Sequence, residues 1–319
     1  MSKSLPKSKL KNNPAKQTGQ QALLASIAQL TEQVQQLSQV VAGITLNSVV
    51  PDNKVLDEAM AFRFEKTDGL FQSSAFIPLH NPQLIGFDEL CNVDKQLLKI
   101  KQNTEQFVKG YFANNVLLTG ARGTGKSSLV KACLKAFHAD GLKVIEVEKK
   151  FLNDLPRIVA ALSGRPDKFI IFCDDLSFEE GDTSYSGLKT VLDGSIAGPS
   201  SNLLIYATSN RRHLITEHNK DNLEFNKTAD GELHPGDTVE EKISLADRFG
   251  LHLTFYGFNQ QEYLKTVQQW LRRFGWSDAD IEAQKQLAIQ WATQKGSRSG
   301  RIAMQFAKQM AGQRLSQVS

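Results

Sequence analysis

The stretch Asn115-Val-Leu-Leu-Thr-Gly120-Ala-Arg-Gly-Thr-Gly125-Lys126-Ser127-Ser-Leu-Val-Lys131 decides how this chain is read. Asn115–Thr119 is a short apolar run of strand length, and Ser127–Phe137 has helical spacing. Between them Gly120, Ala121, Arg122, Gly123, Thr124, Gly125, Lys126 and Ser127 fit the pattern G-x-x-x-x-G-K-[ST] at every position. A chance match in a chain of this length is on the order of one in a hundred. Strand, loop and helix in that order suit phosphate binding. The glycines let backbone N–H groups turn inward around an anion, and the helix N-terminus adds partial positive charge. Lys126 would neutralise β- and γ-phosphate charge, the Ser127 hydroxyl would ligate Mg²⁺, and Ser128 follows in the same first turn. The bland alternative is a glycine turn ahead of an ordinary helix.

A second signal lies downstream in Phe169-Ile-Ile-Phe-Cys-Asp174-Asp175. A strand that delivers two carboxylates at its C-terminal end is the expected companion of a phosphate loop. Asp174 would hold Mg²⁺ through water, and Asp175 would polarise an attacking water as a base. Asp is one methylene shorter than Glu, and Glu179 or Glu180 just beyond is an alternative for the second role. Taken alone, a strand ending in Asp-Asp is often only a turn signal.

Outward from these motifs, five short apolar runs read as strands: Asn115–Thr119, Lys143–Val147, Lys168–Cys173, Asn202–Thr208 and Leu251–Tyr256. Four are continuous Val/Ile/Leu/Phe stretches, as expected of strands buried on both faces of a parallel sheet. Helical patterns at Lys126–His138, Leu152–Leu162 and Ser186–Leu192 fall between them, so the chain reads as βαβ units in an α/β sandwich. Upstream, Phe87–Tyr111 has helical spacing, whereas Ala61–Pro82 mixes aromatic and turn residues and stays unassigned. After the fifth strand the chain turns helical at Asn259–Phe274, Asp278–Gln294 and Ser299–Gln313, with Asn259 and Ser277 as caps. A polar loop, His218–Glu241, is long enough to suggest a functional or mobile insertion.

Charge narrows the function classes. Of 38 basic and 34 acidic residues in 319, residues 1–50 hold five lysines and one acid, which leaves 33 of each sign for the body. The net charge of +4 therefore sits on a tail, and the body lacks the global positive field of a nucleic-acid binder. Residues 1–19 have the composition of a disordered segment. Leu23, Ile27, Leu30, Val34, Leu37 and Val41 then follow a 4-3-4-3-4 spacing, which fits either a short coiled coil that aids assembly or an amphipathic helix packed on the body. Cys91, Cys133 and Cys173 are too scattered for a disulfide framework or a zinc site, and the six histidines show no metal-ligand spacing. No apolar run approaches the ~20 residues of a membrane span. These features predict a cytoplasmic protein.

The series Gly120–Ser127, Phe169–Asp175, Leu203–Arg211 and Leu245–Phe249, ahead of an all-helical end, resembles the AAA+ ATPases. More narrowly, Asn115–Lys131, Ile170–Ser177 and Ala207–Leu214 resemble an uncharacterised bacterial AAA+ family, a domain of unknown function. The resemblance runs from Phe87 to the C-terminus and, more thinly, from Val55. It implies a three-layer αβα sandwich around a parallel five-stranded sheet, with a nucleotide-binding core over residues 51–257 and a helical lid over 258–319. It also implies ATP as substrate, Mg²⁺ as cofactor, a homo-oligomer, and ATP hydrolysis coupled to remodelling of an unidentified protein partner.

By the same resemblance Asn210 is the residue that orients the lytic water, with Thr208 and Ser209 as alternatives. Arg248 is an arginine finger, unless it is a surface arginine paired with Asp247. Arg301 is a lid residue that senses nucleotide, with Arg298 competing. Asp175 stands where Glu is usual, which bears on hydrolysis more than on binding. A slow or non-hydrolysing nucleotide switch is the competing class, and a DNA-associated AAA+ protein is a third. Trp270, Leu271, Arg272, Arg273, Phe274 and Trp276 suggest a nucleic-acid surface by composition. Helical spacing instead makes Leu264, Val267, Trp270, Leu271 and Phe274 the buried face of a lid helix.

Overall fold

The computed structural model describes residues 29–35, 53–67, 73–177, 185–194, 200–210, 226–227, 233–234 and 245–318. The chain divides into two units, one comprising Met1–Val49 with Thr67–Ser73, the other Val50–Lys66 with Ser74–Ser319. In the first unit residues 29–35 are helical, and Leu30 and Val34 stand 60% and 57% exposed. Leu23, Ile27, Leu37 and Val41 of the heptad seam lie outside the described residues, as do Glu179, Glu180 and most of the His218–Glu241 loop. Two short strands from that loop, β7 (Asn226–Lys227) and β8 (Leu233–His234), pair antiparallel.

The second unit is built on a sheet of β1 (Ala61–Thr67), β2 (Ser73–Pro78), β3 (Val116–Gly120), β4 (Leu142–Glu146), β5 (Lys168–Cys173), β6 (Leu203–Ser209) and β9 (Leu251–Phe255). Their order is β2-β1-β4-β5-β6-β3-β9. Every pairing from β1 to β9 is parallel. The Leu79 N–H donates to the Ala61 carbonyl, so the end of β2 lies beside the start of β1 and the two run antiparallel. The sheet thus has seven strands where five were expected. The two extra ones come from the unassigned region, because Arg63, Glu65 and Lys66 interrupt the apolar pattern of β1 while Phe62 and Phe64 are fully buried. β3 and β6 are buried at every position because helices cover both sheet faces, whereas β9, at one edge, alternates.

Helices α1 (Asn53–Glu58), α2 (Asp94–Val108), α3 (Lys126–Phe137), α4 (Leu155–Leu162) and α5 (Ser186–Asp193) accompany the sheet. The single helix expected over Phe87–Tyr111 is instead a short turn at Phe87–Glu89 followed by α2. Leu90 is extended and Asn92 adopts a left-handed φ of 60°, which no helix passes through. Similarly, Leu152 belongs to a 3₁₀ turn, and α4 begins at Leu155 because Pro156 fits a first turn and not a helix interior.

The chain ends in α6 (Gln260–Arg273), α7 (Asp278–Gln294) and α8 (Gly300–Val318). Asn259 caps α6 in a reciprocal pair with Glu262, with bonds of 2.9 and 2.8 Å, and Ser277 caps α7. These helices share their own core of Tyr263, Val267, Leu271, Ile281, Phe306 and Met310. Val267 and Leu271 are buried as the helical spacing predicts, with Leu264 and Trp270 packed against them. Phe274 differs: it is 37% exposed and stacks on Trp270. The α/β sandwich of the AAA+ resemblance, followed by a compact helical end, is therefore present. Among the described residues the three cysteines are free and no helix is long and apolar enough to cross a membrane.

Candidate functional site: a glycine loop at the strand ends

Parallel order brings the C-terminal ends of β3, β5 and β6 side by side, and each continues into a polar turn. Gly120 closes β3 at φ 123°, and a Cβ there would lie 1.9 Å from the Phe255 carbonyl oxygen. Only glycine lets β9 come that close, and the Phe255 carbonyl then accepts from the Ala121 N–H at 3.1 Å. The loop is fixed on its other side by the start of α8. The Arg301 N–H donates to the Gly123 carbonyl at 3.3 Å, and a Cβ on Gly123 would meet Ser299 Oγ at 2.8 Å. Thr124 Oγ1 donates to the Ala121 carbonyl at 2.8 Å, so the loop also braces itself. Gly125 caps α3, and Ser128 lies half-buried in its first turn.

Lys126 is 5% exposed. Its Nζ donates to the carbonyls of Gly120 and Ala121, each at 2.8 Å, and to Asn210 Oδ1 at 3.0 Å. Burial pulls this ammonium down to about 8, the Arg122 and Arg301 charges push the same way, and Asp174 and Asp175 oppose them. Ser127 Oγ donates to Asp174 Oδ1 at 2.7 Å, and Thr208 Oγ1 donates to the same oxygen at 2.5 Å. The Asp175 N–H in turn donates to Thr208 Oγ1 at 2.9 Å. Asp175 has a left-handed φ of 55°; Asn210 Nδ2 donates to its Oδ1 and Arg122 Nη2 to its Oδ2, the latter at 3.3 Å.

The residues named from sequence thus meet in one network of Lys126, Ser127, Asp174, Asp175 and Asn210. Of the alternatives on β6, Thr208 joins the network through Asp174, while Ser209 is buried at the strand end. Arg301 reaches the loop through its backbone, and Arg298 is exposed. Arg248 donates to Asp193, at the end of α5.

The loop pattern marks Arg122 only as a variable position, and no catalytic or binding motif in the sequence marks Glu89. The Glu89 carboxylate is 8% exposed, accepts from the Gly86 N–H, and pairs with Lys135 of α3 at 3.3 Å and Arg273 of α6 at 2.6 Å. Nearby, Asn92 Nδ2 donates to the Glu262 carbonyl at 2.9 Å and to Thr266 Oγ1 at 3.1 Å, and Gln269 donates to the Asp88 carbonyl. The segment 86–92 therefore ties α6 to the sheet side of the molecule. Its one local signal is the Gly86-x-x-Glu89 cap, since the partners lie far along the chain.

The donor set also fits a magnesium ion. Ser127 and Asp174 offer hard oxygens at one point, which is the small protein contribution such an ion takes beside phosphate. No cluster of three or more His, Cys, Asp or Glu side chains suited to a metal occurs among the described residues.

No curated protein matches the chain. Among solved structures, the Thermotoga maritima RuvB Holliday junction branch migration motor is similar at 16% identity and a TM-score of 0.46, over 70% of this chain. The chain spans 63% of that structure's length. The FIGL-1 AAA domain in complex with ADP is similar at 14% identity and a TM-score of 0.47, over 84% of this chain and 82% of that one. An Escherichia coli HORMA:CdnC:Trip13 complex gives 11% identity and a TM-score of 0.42, over 70% and 89%. A family model described as a protein of unknown function, DUF815, matches residues 57–314. That match runs from the end of α1 into α8, and by it the chain belongs to the DUF815 family.

Proposed function

We propose that the chain is an AAA+ ATPase that binds ATP with Mg²⁺ in the Gly120–Ser127 cradle and hydrolyses it to ADP and phosphate. The observation that carries this reading is the convergence of Lys126, the Ser127–Asp174 pair and the Asp175–Asn210 pair at the ends of three adjacent parallel strands. Loop N–H groups and Lys126 hold the phosphates. Ser127 and Asp174 hold Mg²⁺, whose positive charge offsets that of the phosphate oxygens when it is bound. Asn210 orients a water and Asp175 accepts its proton. The core over 51–257 and a lid over 258–319 close on the nucleotide, with Arg301 reporting from the lid. Arg248 serves a neighbouring copy in a homo-oligomer, and lid motion remodels a protein partner.

Turnover of the wild type against Lys126→Ala tests the reading. The variant should lose nucleotide affinity and fall about 100-fold in phosphate release. Equal release by both proteins would remove the proposal. A second reading, a slow nucleotide switch, is favoured by the engagement of both Asp175 oxygens. Tight ATP binding with no release above the Lys126→Ala background would select it.

A further inference from the structure

The loop carries a cation besides Lys126. Arg122 lies between Gly120 and Gly123 with its side chain 74% exposed, and among the described residues it pairs with Asp175 Oδ2 at 3.3 Å. Asp175 Oδ1 accepts from Asn210, whose amide oxygen accepts from Lys126. Both oxygens of the carboxylate assigned as base are therefore engaged, one of them by an exposed flexible arm. Ion pairs of that kind contribute little and are screened by salt, so the pair yields to a stronger anion. A phosphoryl group is such an anion, and its oxygens match the planar guanidinium fork.

The charge balance points the same way. Arg122 and Arg301 both bear on Lys126, so three cations face two carboxylates around the loop. Arg248 is held by Asp193 within its own chain, and its side chain is 24% exposed.

We propose that Arg122 acts in cis on the terminal phosphate of ATP, exchanging Asp175 for phosphoryl oxygens and so freeing Asp175 to take a proton. This rests on the ATPase reading above. In the step it serves, the water oxygen bonds to the γ-phosphorus. The bond from that phosphorus to the β–γ bridging oxygen breaks, and its electron pair leaves with ADP. The water's proton passes to Asp175, and the Arg122 guanidinium faces the charge spread over the γ-phosphoryl oxygens. The phosphate loop would thereby supply in cis what an arginine finger supplies from a neighbour.

The experiment uses full-length wild type, Arg122→Ala, Arg122→Lys and Lys126→Ala, with melting temperatures to confirm folding. Binding of a fluorescent ADP is measured alone and with aluminium fluoride, which mimics the transferring phosphoryl group. For Arg122→Ala, ADP affinity should stay within about threefold of wild type. Retention with aluminium fluoride should drop more than about tenfold, and ATP turnover about 100-fold. Arg122→Lys should be intermediate, since it keeps the charge and loses the fork. An equal mixture of Arg122→Ala and Lys126→Ala should turn over no faster than the two measured apart. Recovery in the mixture would place the guanidinium in trans and overturn the proposal. Wild-type turnover by Arg122→Ala, or a wild type that binds ADP yet never releases phosphate, overturns Arg122's role and leaves nucleotide binding intact. A wild type that binds ADP no better than Lys126→Ala removes the ATPase reading and this inference together.

Discussion

Lys126 uses all three ammonium hydrogens before any ligand arrives, two on loop carbonyls and one on Asn210. Its pKa, held down to about 8 mainly by burial, gives a signed expectation. Below about pH 8 the group is charged in folded and unfolded chains alike, and the full cost of burying the charge is present. As pH rises from there toward the ordinary lysine value, the folded chain releases the proton first and that cost is relieved. Bound phosphate favours the charged form, so nucleotide affinity should fall above pH 8, approaching tenfold per unit. An affinity flat from pH 7.5 to 9.5 would contradict the shift, and Lys126→Met should abolish the slope. Asp175 is also explained at this scale: its left-handed backbone suits a short polar side chain. The loop and both carboxylates were legible in sequence because each is a local pattern. The Arg122–Asp175 pair was not, because the two residues meet only once β3 and β5 are set in the sheet.

Among the elements, β3 and β9 depend on Gly120. Gly120→Ala drives a methyl into the Phe255 carbonyl and should destabilise the fold by about 2–5 kcal/mol, read as a lower urea midpoint. The Glu89 bridge between α3 and α6 is a milder case, since Lys135 and Arg273 are half-exposed and regain water. Glu89→Ala should cost about 1–3 kcal/mol, and hydrogen exchange should rise first in α6. Exchange rising evenly across the sheet would place the bridge elsewhere in the folding energetics. Strands β3, β5 and β6 could be read from sequence because burial on both faces leaves an unbroken apolar run. β1 could not, since aromatic and turn residues are mixed throughout Ala61–Pro82, and the start of α2 could not, since Asn92 turns the chain by a side-chain contact to a helix 170 residues away.

At the scale of the whole molecule, the glycine loop touches the start of α8. Arg301→Ala should weaken nucleotide binding about tenfold with little change in melting temperature, whereas loss of both together would assign Arg301 to packing alone. Sedimentation with and without ATP tests the proposed role of Arg248, for which a heavier species is expected with ATP. A monomer in both states would remove it. The balance of charge outside residues 1–50 leaves phosphate to be neutralised locally, in agreement with three cations gathered at one loop. One bond carries a mechanical implication. The Gly123 carbonyl holds the first turn of α8 through the Arg301 N–H, and that helix runs 19 residues, about 28 Å. In the lid motion proposed above it would be a lever with its fulcrum at the glycine loop. A rotation of about 10° there would sweep the far end through about 5 Å.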